Sequence, residues 1–134
     1  MSNKIVARYR DGRTVKGISL DLDPGRPDCH VRTPEGKTVE VQLKDLKALF
    51  FVRSLEGDST RDENRIPDPQ DLRSRGSRLI SLTFEDGEVM VGLTIRYPPN
   101  RPYFYILPVD SKSNNLRLLV NRDAVASMEA VGPG

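Results

Sequence analysis

The sequence predicts an all-β protein built as two tandem five-stranded small barrels, residues 4–53 and 78–131, joined by a polar linker at 54–77. Three observations carry this. Residues 5–33 align without a gap on residues 80–108. Both stretches alternate apolar and polar residues with the period of two that a half-buried strand requires. Turn residues then interrupt the alternation at matched places.

The repeat comes first, because self-similarity decides the architecture before any single element does. Asp11-Gly12 falls on Asp86-Gly87, Gly17 on Gly92, Pro24 on Pro99, and Arg26-Pro27 on Arg101-Pro102. The apolar positions agree too: Ile5 with Ile80, Tyr9 with Phe84, Val15 with Met90, Ile18 with Leu93, Leu20 with Ile95, Val31 with Ile106. After a few extra residues in the second copy the pattern resumes. Val39, Val41 and Leu43 then align with Leu116, Leu118 and Val120, Asp45-Leu46 with Asp123-Ala124, and Phe50 with Met128.

Each element follows in order. Ile5, Ala7 and Tyr9 alternate with Val6, Arg8 and Arg10 in a first strand. Asp-Gly then gives a tight hairpin, since glycine takes the positive φ such turns need. A second strand runs from about 14 to 21, and Gly17 within it marks a bend of a strand curling round a small barrel. A third strand spans 29–33, a turn falls at Pro34-Glu35-Gly36-Lys37, and a fourth strand carries Val39, Val41 and Leu43. Residues 43–46 read as one helical turn before a closing apolar strand, Ala48-Leu49-Phe50-Phe51-Val52. The second copy repeats this order, with 123–130 readable as helix or strand. The linker is too polar to order itself and reads as flexible, with Ile66 and Leu72 as places where it pins to a barrel. The 132–134 tail is expected to fray.

Composition narrows the function classes. The 134 residues include 21 basic and 19 acidic side chains, a net +2, so no strong field gathers nucleic acid non-specifically. Cys29 is the single cysteine, which rules out an intramolecular disulfide and fits a reducing, cytoplasmic setting. No stretch approaches the ~20 apolar residues of a membrane span, nor does the start carry a signal-length apolar run.

The order of elements, with Tyr9-Arg10-Asp11-Gly12-Arg13-Thr14-Val15-Lys16-Gly17-Ile18, resembles the first half of the Sm motif in Sm-like and SH3-like small barrels. The second copy, with residues 84–93, Asp110 and Ser113-Asn114-Asn115-Leu116-Arg117, looks closer still to an uncharacterised bacterial domain family of that shape. The resemblance implies the barrel fold and an interaction role. RNA-binding Sm proteins carry Arg-Gly or Lys-Gly before the last strand. Lys44-Asp45 and Asn121-Arg122-Asp123 stand there instead, and an aspartate repels phosphate.

No catalytic residue, cofactor or metal ligand is expected. Cys29 and His30 are strand neighbours and point to opposite faces, which separates a nucleophile from its base. No glycine-rich phosphate loop is present. Arg26 and Arg101 recur on proline-stiffened loops, as architecture or as receptors for an acidic group. Tyr97, Tyr103 and Tyr105 gather around prolines in the second copy, and tyrosine beside arginine is the composition of binding hot spots. Arg8, Arg10, Arg13 and Lys16 cluster on the first hairpin, as a solvated face or a small basic patch. The expected function is a non-catalytic protein-interaction module in a bacterial regulatory assembly. The alternative is an Sm-like RNA or single-strand binder, and a second copy of the chain remains open as a partner.

Overall fold

A computed structural model describes residues 3–56, 76–110 and 112–131; most of the linker, with Ile66 and Leu72, and the 132–134 tail lie outside the described residues. Ten strands form the molecule: β1 (Asn3–Tyr9), β2 (Thr14–Ser19), β3 (Asp28–Arg32), β4 (Thr38–Gln42), β5 (Leu46–Val52), β6 (Arg78–Phe84), β7 (Val89–Thr94), β8 (Tyr103–Pro108), β9 (Asn115–Asn121) and β10 (Val125–Ala130). Single 3-10 turns at Leu43–Asp45 and Arg122–Ala124 precede β5 and β10. The segment that the sequence left between helix and strand is therefore one turn and then a strand.

The strands make one antiparallel sheet in the order β10-β6-β7-β8-β9-β5-β1-β2-β3-β4. The all-β expectation holds, and the sheet is open rather than closed on itself. The reason lies in β5, which hydrogen-bonds β1 on one side and β9 on the other. The edges that closure of each half would use are spent across the junction. The two halves nonetheless have the same internal order, β5-β1-β2-β3-β4 and β10-β6-β7-β8-β9.

Local chemistry explains the matched turns. Gly12 and Gly87 sit at φ +95° and +93°, and each donates its N–H to the carbonyl of the residue that ends the preceding strand, Tyr9 and Phe84. Gly17 and Gly92 serve a different need. A Cβ on Gly17 would collide with the carbonyl of Arg32, and one on Gly92 would lie 2.9 Å from the carbonyl of Leu107. Glycine is there because β2 and β3, and β7 and β8, come too close for a side chain.

Strand pairing also shifts the second part of the sequence alignment. Cys29 faces Val41 and Val31 faces Val39, while Phe104 faces Val120 and Ile106 faces Leu118. The equivalents of Val39 and Val41 are thus Leu118 and Val120, two residues beyond the expected Leu116 and Leu118. In the last strands Ala7 faces Leu49 and Leu82 faces Met128, so Leu49 rather than Phe50 corresponds to Met128. The two-residue slip in β9 preserves which side chains face inward, so alternation alone cannot detect it. The one-residue offset in the last strand falls in the apolar run of β5, buried on both faces, where alternation gives no register.

Two apolar cores lie on opposite faces of the sheet where the halves meet. Leu49 and Phe51 enter the core built by Ile5, Ala7, Cys29, Val31 and Val41; Ala48, Phe50 and Val52 enter the one built by Ile80, Leu82, Phe84, Phe104 and Ile106. Neighbouring strand residues point to opposite faces, so β5 feeds both cores and all seven of its residues are buried. Each large side chain so buried contributes about 1.5–3 kcal/mol.

Polar ties lock the junction. Asn121 Nδ2 donates to the carbonyls of Lys44 (3.2 Å) and Leu46 (2.9 Å). Arg10 grips Glu85 through two bonds of 2.7 and 2.8 Å. Lys47, buried over the Phe84 ring, pairs with Asp86 at 2.8 Å and with Glu88. The first linker residue is also held: Ser54 and Asn114 exchange two hydrogen bonds of 3.0 Å.

Candidate functional site

Where β7 and β8 diverge, a groove opens across the junction. The two strands pair only at Gly92 with Pro108 and Leu93 with Leu107. Beyond that point the residue 95–102 loop swings away. The result is a cleft of about 700 Å³ between the loop, β8 and the β2–β3 loop of the first half. Leu93, Ile95 and Leu107 supply its aliphatic lining, Pro24 and Pro99 its stiff margins, and Tyr103, Tyr105 and Arg117 its side toward the junction. Ile95 is 84% exposed and Leu20, its counterpart, 74%. Both lie one residue past their strand ends, so the alternation that placed them among core positions no longer applies.

Of the sequence candidates, Arg101, Tyr103 and Tyr105 come together in this groove. Tyr103 and Tyr105 point to one face and Phe104 to the other, as alternation requires: the tyrosines pack on the first core, Phe104 in the second. Burial pushes the Tyr103 phenol above its ordinary pKa. Tyr105 lies 6.1 Å from the Phe51 ring, and the Arg117 guanidinium stacks over both, 4.7 and 4.3 Å from their centroids. Tyr97 goes elsewhere. It packs against the second core and donates its hydroxyl to the Met128 carbonyl at 3.3 Å. Arg26 is exposed on its loop and does not line the groove. The proline after each arginine is architectural. The carbonyls of Pro27 and Pro102 accept from the N–H groups of Leu43 and Arg122, 2.9 Å each, and so fasten both loops to the 3-10 turns.

The basic hairpin is already engaged. Arg10 holds Glu85, Arg13 holds Asp11 at 2.8 Å, and Lys16 donates to the Leu55 carbonyl at 3.3 Å. Arg8 stacks 4.5 Å over Phe50 with Glu88 3.9 Å away.

Cys29 and His30 do point apart. Cys29 is fully buried, and burial pushes its thiol up to about 11, so the nucleophilic thiolate is disfavoured. His30 is exposed, with Nδ1 2.7 Å from Asp21 Oδ2, and this hydrogen bond raises its pKa. Among the described residues, no group of three or more His, Cys, Asp or Glu side chains is placed to hold a metal ion. No helix among them is long and apolar enough to cross a membrane.

The groove's contributors beyond the sequence candidates include Leu93, Ile95, Arg96, Leu107, Arg117 and Pro24. One signal pointed to Ile95: an aliphatic residue beside Pro98 and Pro99, where a strand is about to end. Arg117 and Pro24 carried none, since only folding across the junction brings them to the loop.

Fold and groove together define an all-β, open-sheet protein with a surface cleft. The chain belongs to the family of unknown function DUF6982, whose family model matches residues 1–132. No curated protein and no solved structure matches it.

Proposed function

We propose that the chain is a non-catalytic protein-interaction module, two small-barrel units of the Sm-like or SH3-like type fused edge to edge, which docks a partner protein in the β7–β8 groove. The observation that carries this is the meeting of Arg101, Tyr103 and Tyr105 with the solvent-exposed Ile95 in one largely apolar cleft. Exposed aliphatic surface next to tyrosine and arginine is what a docked side chain buries with gain. The cleft falls within the roughly 300–1,000 Å³ of ordinary ligand sites. A setting in a bacterial cytoplasmic regulatory assembly accords with the single unpaired cysteine.

The nucleic-acid alternative would rest on the first hairpin. Its cations are turned toward carboxylates, a carbonyl and an aromatic ring of the same chain, which favours the protein reading.

Selection of a displayed random-peptide library on the full chain tests the proposal. The native protein is expected to enrich sequences with one or more large apolar residues, and Ile95→Glu to lose that enrichment. Equal enrichment on both proteins, or none on the native one, would sink it.

A further inference from the structure

The groove has a one-sided charge pattern. Three arginines line it, Arg96, Arg101 and Arg117, and among the described residues no carboxylate does. On the first hairpin and at the joint, by contrast, cations sit against anions: Arg10 on Glu85, Arg13 on Asp11, Lys47 on Asp86 and Glu88. Among the described residues, the side chains of Arg96 and Arg101 take part in no ion pair or hydrogen bond. Arg117 is held by the Phe51 and Tyr105 rings rather than by an acid. In a chain of net charge +2, this gathers three guanidinium groups around an aliphatic cleft with no carboxylate beside them among the described residues.

Resting on the docking role proposed above, we infer that the occupant of this groove is an acidic-flanked apolar segment of a partner protein: one or two large apolar side chains with glutamate or aspartate on either side. The apolar side chains bury Leu93, Ile95 and Leu107. The flanking carboxylates meet guanidinium groups, whose planar fork matches them in two-point contact. Arg117, stacked over two rings, loses little side-chain freedom when it binds. A single nucleic-acid strand fits less well. Tyr105 is already engaged by Arg117 and Phe51, and a phosphate backbone gains nothing from covering Ile95.

Fluorescence anisotropy on the full chain provides the test. Three labelled peptides share one Leu- and Phe-containing centre and differ only in flanks of glutamate, serine or lysine; a labelled oligothymidylate is the fourth probe. The glutamate-flanked peptide is expected to bind about three- to tenfold tighter than the serine-flanked one, with the gap closing as salt rises. Arg96→Glu/Arg101→Glu should invert the order in favour of lysine flanks. Ile95→Ser, which removes the apolar contact without adding charge, should weaken all three peptides alike. These side chains are exposed, so thermal melts should stay native-like.

Equal affinity for the three peptides in the native protein overturns the acidic-partner inference while leaving the docking groove standing. Absence of peptide binding, or binding indifferent to Ile95→Ser, overturns the groove as well. Oligothymidylate that displaces the peptides and is lost with the double arginine variant overturns the inference in favour of nucleic acid.

Discussion

The outer faces of β3–β4 and β8–β9 occupy the same place in the two halves, yet their side chains are of opposite kinds. Tyr103, Tyr105 and Leu119 project from β8–β9 and pack on the first core. By strand register their counterparts on β3–β4 are Asp28, His30 and Glu40. The last strands differ in the same way: β5 reads LKALFFV and is wholly buried, while β10 reads VASMEA and is largely exposed. A repeated backbone thus carries one apolar joint and two polar ends. The physics is that of sheet edges, which recruit further strands unless charge prevents it. β4 and β10, the outermost strands, present Glu40 and Glu129 where the joint has Leu119 and Phe50. The comparison teaches that the fold sets where a joint can form, and a handful of outward side chains sets where it does.

The largest expected effect that would sharpen the contrast is at Leu119. Leu119→Ala removes a buried side chain from the joint and should cost about 2–5 kcal/mol in urea unfolding. Glu40→Ala, its counterpart on the exposed edge, should change stability by less than ~0.5 kcal/mol. Similar losses at both would mean that the two faces are not energetically distinct.

Next come the close-approach glycines, where the halves should behave alike in sign but not in size. Gly17→Ala drives its methyl into the Arg32 carbonyl and should cost about 1–3 kcal/mol. At Gly92 the facing carbonyl stands 2.9 Å off and the loss should be smaller. Thermal melts of the two variants decide this, and a costlier Gly92→Ala would contradict the geometry.

Asn121 and Gln42 offer a third pairing. Asn121→Ala strands two backbone carbonyls at the joint and should cost about 1–3 kcal/mol. Gln42, whose amide among the described residues bonds Glu40, should be replaceable by alanine with little change in the melting temperature.

The smallest effect concerns the polar face itself. Hydrogen bonding to His30 holds Asp21 down at about 2, and the Asp21 carboxylate raises His30 above 6.5. Both shifts describe one interaction. Its stabilisation is present above the ordinary carboxylate range and is lost as pH falls toward about 2. At the other end it is complete below pH 6.5 and fades as pH rises through the raised histidine value. An NMR titration of the single histidine should therefore show Asp21→Asn returning His30 toward 6.5. An unmoved midpoint would show that the pair does not form in solution.

Much of the architecture was legible. Ten strands, the matched Asp-Gly turns and the opposed faces of Cys29 and His30 follow from period-two alternation and turn chemistry, which act over a few neighbouring residues. The continuous apolar run of β5 already marks a strand covered on both faces, as the polar character of β10 marks an edge. The sequence singled out the tyrosines as candidates for a contact face, but not whether that face meets the other half of the chain. It does so in part, and only the remainder of their surface lines the groove.

By itself the sequence determined which segments are strands, where they turn, and which side chains hide along the strand interiors, though not at strand ends such as Leu20 and Ile95, because those properties depend on side-chain alternation and local φ preferences. Only the tertiary structure decided that the sheet stays open, that β5 joins β9, and that Pro24, Ile95, Arg101 and Arg117 share one cleft. Those outcomes depend on which of several chemically competent edges meet. Hydrogen-bonding edges are nearly alike along any strand, so the choice falls to contacts between residues as far apart as Leu49 and Leu119, and local sequence does not encode them.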